Sequence, residues 1–134
     1  MFKKYFDLLT VLGLVVCLGN IFPASESSAK SVTATKTEIS LVDGVAVDKK
    51  GNVYIARRDN NIISRIDQKG NMTSFAGTGS SGFSGDGGEA NKARLNVPAG
   101  LAFDNNGNLF IADRNNHRIR KVDSRGIIST IAGN

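Results

Sequence analysis

The residue pattern of positions 44–77 is written a second time at positions 100–133, in register and without a gap. Gly44, Ala46, Asp48, Gly51, Asn52, Ile55, Ala56, Arg58, Asn60, Ile63, Asp67, Gly70, Ala76 and Gly77 all recur 56 positions on, ending at Gly133. A fixed period of that size belongs to arrays whose single unit cannot bury its own apolar face, so that about three stacked units are usually needed. The sequence shows two copies, and a third would open near Asn134, which aligns with Thr78. It reads as part of a larger array, or as a subunit that completes one by assembly. A site shared among several units would then lie largely outside it.

Each copy reads as four short strands divided by turn residues. In the first copy they are predicted at 45–47, 53–56, 62–66 and 72–76, and in the second at 99–103, 109–112, 118–122 and 127–132. The segments between them, such as Asp104-Asn105-Asn106-Gly107-Asn108 and Ser124-Arg125-Gly126, are rich in residues that tolerate positive φ. Fifteen glycines against two prolines, with no tryptophan, suit short strands and tight turns. Four strands per unit, with turns about every eight to twelve residues, is the pattern of a propeller blade. The fold class is therefore all-β, of the β-propeller type, with two four-stranded blades of an incomplete ring. An open pair leaves sheet faces uncovered. Val45, Val47, Ile55, Leu101, Phe103 and Ile111 are the expected exposed set, which predicts a marginally stable monomer.

The chain divides into 1–29, 30–42, 43–77, 78–97 and 98–134. In the first segment Lys3 and Lys4 precede an apolar run over 8–18, and Ser27-Ser28-Ala29 supplies small residues for a cleavage site. That order is a secretory signal peptide, and the run is short for a bilayer span. The expected location is secreted or cell envelope. Cys17, the only cysteine, closes Leu14-Val15-Val16-Cys17, which looks like a bacterial lipoprotein box except that Val16 stands where a small residue is expected. Membrane attachment follows only if Cys17 is lipidated or the leader is uncleaved. Cleavage after Ala29 leaves no cysteine for a disulfide. Segment 30–42 is a lead-in whose weak alternation fits an outer strand of a missing blade or a closing strand, 43–77 is the first blade, and 98–134 is the second.

The connector, 78–97, is long, polar and rich in Gly and Ser, and loops of that length are usually functional or disordered. It has to run from the outer edge of one blade to the inner strand of the next, with room for one helical turn over 90–95. Gly77-Thr78-Gly79-Ser80-Ser81-Gly82 satisfies a dinucleotide fingerprint, but Phe83-Ser84-Gly85-Asp86-Gly87-Gly88 cannot open the helix that such a site requires. The connector reads instead as flexible. Asp86 and Glu89 are too few for a calcium loop. No cofactor and no metal site is expected, and His117, the only histidine, rules out a site built on several imidazoles.

Asp113, Arg114, Asn116, His117 and Arg118 form the most polar cluster of the repeat and are the candidate binding or repeat-motif residues. One reading makes His117 a general base oriented by Asp113, with Arg118 clamping an oxyanion. The other has Asp113 and Asn116 bonding turn amides while His117 packs at the blade edge. The net charge of +5 is spread over strands and turns. Arg57, Arg58, Arg65, Arg114, Arg118, Arg120 and Lys121 lack the aromatic interleaving of a nucleic-acid face, so no nucleic-acid partner is expected.

The runs Pro98-Ala99-Gly100-Leu101-Ala102-Phe103-Asp104, Gly107-Asn108-Leu109-Phe110-Ile111-Ala112-Asp113 and Asn116-His117-Arg118-Ile119-Arg120-Lys121-Val122 closely resemble the NHL repeat. Asn116-His117 keep two residues of its Asn-His-Leu signature, with Arg118 in third place. Gly82-Phe83-Ser84-Gly85-Asp86-Gly87-Gly88 looks like the connector of bacterial NHL arrays. The resemblance implies a propeller, commonly of six blades, that serves as a scaffold for proteins or other ligands. The first copy departs at Arg57, Asn61 and Ile62, which stand where the second has Asp113, His117 and Arg118, so blade 1 is expected to be the eroded one.

The function expected is that of an exported, non-enzymatic binding or interaction scaffold, a fragment of or subunit for a larger propeller. Its partner would be a protein or other extracytoplasmic ligand, with self-association to complete a ring as a further expectation. The alternative is a fragment of a propeller enzyme of lyase or lactonase type, with catalytic residues on blades not present here.

Overall fold

The computed structural model describes residues 32–33 and 37–134. The leader and Cys17 lie outside them. Nine strands appear among the described residues: β1 (Val32–Thr33), β2 (Val42–Val47), β3 (Val53–Arg57), β4 (Ile62–Ile66), β5 (Asn71–Ala76), β6 (Pro98–Phe103), β7 (Leu109–Asp113), β8 (Arg118–Val122) and β9 (Ile128–Gly133). Strands β2 to β5 make blade 1 and β6 to β9 blade 2, each an antiparallel sheet in chain order, with β1 added outside β5. Within the lead-in, Val32 and Thr33 thus lie on the outer edge of blade 1 itself, and not in the sheet of a further blade.

One local device sets all four hairpins. Asp48, Asp67, Asp104 and Asp123 each precede Gly51, Gly70, Gly107 and Gly126 by three residues. In each turn the Asp Oδ1 accepts the amides two and four residues on, at 2.8–2.9 Å. The glycines take φ of 81–83°, a region that costs a side chain. In three turns the Asn directly after the glycine (Asn52, Asn71, Asn108) donates its side-chain amide to the second oxygen, and in the fourth the Arg125 guanidinium donates to it. A blade is thus the same hairpin used twice, joined by a short 3-10 turn, Arg58–Asn60 or Arg114–Asn116, that ends in left-handed Asn61 or His117.

The core lies between the blades. Tyr54, Ala56, Ile63 and Ala76 of blade 1 face Leu109, Ile111, Val122 and Ile128 of blade 2, with Ala90, Ala93 and Leu95 of the connector filling the outer part. Each fully buried Leu or Ile contributes roughly 1.5–3 kcal/mol. Tyr54 meets Phe75 and Phe103 edge-on, with ring centroids 4.9 and 4.8 Å apart. Gly44 lets the two inner strands close up, since a Cβ there would collide with the carbonyl of Ala99.

Three expectations need correction. Val45 and Val47 are exposed but Ile55, on the same face, is buried; in blade 2 Ile111 is buried and Leu101 and Phe103 pack on the core, because blade 2 turns that face toward blade 1. Blade 1 is not eroded: β2 to β5 pair in full, and Arg57 and Ile62 are themselves partners in the β3–β4 ladder, so the changed side chains leave the backbone pairing intact. The connector is bonded along its length, through Gly77 and Thr78 amides to Ala90 and Ala93 carbonyls and through Gly82 to Leu95, with a 3-10 turn at Ala90–Lys92.

Candidate functional site

Strands β7 and β8 put Asp113 and Arg120 on the face turned toward the connector. Both side chains are fully buried and lie 3.3 Å apart. Arg120 reaches on to Asp86 Oδ1 at 2.8 Å and donates to the Ser84 carbonyl at 3.0 Å. Asp113 accepts the Asn96 amide at 2.7 Å and the Asn116 side chain at 2.7 Å, and Asn116 also donates to the Gly82 carbonyl at 2.8 Å. Arg118 lies over the Phe83 ring at 3.9 Å and Arg120 at 4.8 Å. These contacts tie Gly82, Phe83, Ser84, Asp86 and Asn96 to blade 2. Burial pushes the Asp86 carboxyl up, but hydrogen bonding and the Arg120 charge outweigh it and hold the carboxyl below its usual range. A buried charge pair of this kind is costly to break, since either partner alone is left uncompensated.

The polar cluster expected from sequence therefore splits. Asp113 and Asn116 belong to the brace, bonded to the connector and not to their own turn amides. Arg114 and His117 are exposed, and with Arg118, Ala112, Ile119 and Ala132 they line a shallow pocket of about 270 Å³ on the opposite side of blade 2. Asp113 is committed to Arg120, Asn116 and Asn96, so it does not orient His117 as a general base. Asp86 and Glu89 are spent on Arg120 and Lys92. No helix opens directly after Gly82, as a dinucleotide site requires; the next is the 3-10 turn at Ala90–Lys92. Among the described residues no three His, Cys, Asp or Glu side chains gather where they could hold a metal ion.

Sequence reasoning missed a larger feature. At the end of the blades that carries the Asp–Gly turns, a cleft of about 600 Å³ opens between them, lined by Asp48, Lys49, Lys50, Tyr54, Arg65, Phe75, Phe103, Asp104 and Asp123. Lys49 crosses it to the Asn105 carbonyl at 2.7 Å. Its carboxylates are occupied by turn amides. The Arg65 Nε, by contrast, is buried without an acceptor. Tyr54 has its hydroxyl pushed up by burial and then by the Asp48 charge, so it stays protonated and donates to Asp48 at 3.2 Å. The cleft thus has an aromatic floor with the cationic side chains of Lys50 and Arg65 in its walls. The signal available in the sequence was the in-blade repetition of Asp–x–x–Gly, which puts four turns at one end.

The Teneurin NHL domain model matches residues 78–134. Human NHL repeat-containing protein 2 is 39% identical over 89 residues, covering 60% of this chain and 11% of its own. Among solved structures, an auxiliary nutrient binding protein of Bacteroides ovatus superposes with a TM-score of 0.60 at 23% identity, over 73% of this chain and 26% of its own. The virginiamycin B lyase of Staphylococcus aureus gives 0.53 at 19%, over 78% and 30%. The chain spans 11% or less of the curated relatives it matches. The turns, the four-stranded sheets and these matches agree that the two blades of this chain are NHL repeats of the β-propeller family.

Proposed function

We propose that this chain is an extracytoplasmic, non-enzymatic binding scaffold whose ligand seats in the cleft between the two blades. The observation that supports this most is the Arg65 side chain in the cleft wall, which is in no ion pair among the described residues while the neighbouring carboxylates are already satisfied by turn amides. A guanidinium so placed donates to a ligand oxygen in a charge-assisted bond. Tyr54, Phe75 and Phe103 supply the apolar floor that such sites pair with a few polar groups. The ligand class that fits is one presenting acceptor oxygens beside an apolar group, as a peptide carboxyl terminus or a carbohydrate does. Export rests on the order of basic, apolar and small residues over 1–29.

Screening peptide and glycan arrays with the protein, then titrating the hits against Arg65→Met, tests this. Binding should weaken about tenfold, equivalent to roughly 1.4 kcal/mol. Blank arrays, or hits indifferent to Arg65→Met, would remove the cleft from consideration. Turnover of a lactone on adding a divalent metal would instead establish the enzyme alternative.

A further inference from the structure

The lead-in to blade 1 is a second copy of the connector's end. At the same offset of 56, Ala34, Lys36, Ile39 and Leu41 align with Ala90, Lys92, Leu95 and Val97. The backbone agrees. Val32 and Thr33 pair with Met72 and Asn71 in the register in which Gly88 and Glu89 meet Ile128 and Ile127. Leu41 and Val97 both adopt left-handed φ, 47° and 54°. The connector's end is buried in a seat on blade 1 made by Ala56, Asn61, Ile63, Ala76 and Gly77, where Val97 donates to Asn61 Oδ1 at 2.9 Å. Ile39 and Leu41 have no such cover: they are 38% and 55% exposed.

The seat itself is also repeated. The shallow pocket on blade 2 is built from Ala112, His117, Ile119, Ala132 and Gly133, which are the seat residues of blade 1 moved on by one period. Gly100 adds an independent sign. Gly44 is needed because the next inner strand presses on it, whereas Gly100 has an ordinary φ and meets nothing closer than Ala112 Cβ at 3.8 Å. A mid-strand glycine without a local reason costs about 0.5–1 kcal/mol relative to Ala. The chain therefore carries both halves of one interface, already seen between its own blades. We propose that the open face of blade 2 docks, head to tail, the lead-in and blade 1 of a second copy of this chain. Such contacts close into rings or run on as filaments. Propellers hold roughly four to eight blades, so a closed ring of two-bladed copies takes about two to four of them.

Sedimentation equilibrium on the full chain tests the proposal, with two variants that each spoil one half. Gly100→Val blocks the seat where space within the monomer is open, so circular dichroism and the thermal transition should hold. Ile39→Asp spoils the lead-in at an exposed position. Wild type should run at about two to four times the monomer mass and each variant alone as a monomer, while an equimolar mixture, which restores one good interface, should give a one-to-one dimer. A monomeric wild type, variants that associate as wild type does, or a mixture that stays monomeric would each overturn it.

Discussion

Blade 1 and blade 2 share turns, strand register and inner-strand glycine, yet among the described residues only blade 2 is braced. Where blade 2 has Asp113 and Arg120, blade 1 has Arg57 and Ser64, and the position in register with Asp86 is Lys30. The charges needed for the brace are therefore reversed or missing at all three places. Blade 1 still forms a full sheet. The pair of blades thus separates two jobs that a single repeat would confound. The Asp–Gly turns and alternating apolar positions make a blade, and the buried ion network fastens a connector to it.

The sharpest way to break that contrast is Arg120→Met, which leaves Asp113 buried without its cation. We expect a loss of about 3–5 kcal/mol in chemical denaturation, whereas Ser64→Ala at the matching place should cost about 1 kcal/mol. Equal losses would mean that the brace contributes nothing specific. Next in size is Gly44→Val, which drives a side chain into the Ala99 carbonyl and should cost about 1–3 kcal/mol or more. Gly100→Val should stay within about 0.5 kcal/mol, and a thermal melt of each separates them. Phe83→Ala removes the ring under Arg118 and Arg120; because that ring is 42% exposed, the loss should be about 0.5–1 kcal/mol.

The smallest effect is shared by both blades. Asp67 and Asp104 are held below the usual carboxylate range by the Asn71 and Asn108 side chains and then by backbone amides, and Asp123 by the Ile127 amide and then Arg125. Burial pushes Asp48 up, but the Asn52 bonds outweigh it. Carboxyls depressed in the folded state stabilise it above their unfolded pKa of about 3.9, and that contribution is lost as pH falls through the lower folded values. The melting temperature should therefore be level between about pH 5 and 7 and drop below about pH 4. Asp67→Asn and Asp104→Asn should flatten that drop by similar amounts in the two blades, and a difference between them would show that the turns are not equivalent.

The blade count, the strand positions to within a few residues and the connector's single helical turn were legible because Asp–x–x–Gly turns and alternation are local chemistry. The brace was not, since Arg120 finds Asp86 and Ser84 across 34 and 36 residues. Its position also fails to repeat, so a comparison of copies discards it. The hint that remained was phase: Arg120 shares its side of β8 with buried Val122. Ile55 and Ile111 were misjudged for a related reason. Alternation says which residues share a face, and only packing says which face is covered.

Val97 draws these threads toward synthesis. A β-branched residue at φ 54° is disfavoured by something of order 1–3 kcal/mol, and its amide is held by Asn61 of blade 1. A ribosome delivers blade 1 first, so the anchor already exists when the awkward residue emerges. A chain permuted to begin with blade 2 should need more time to reach its native form.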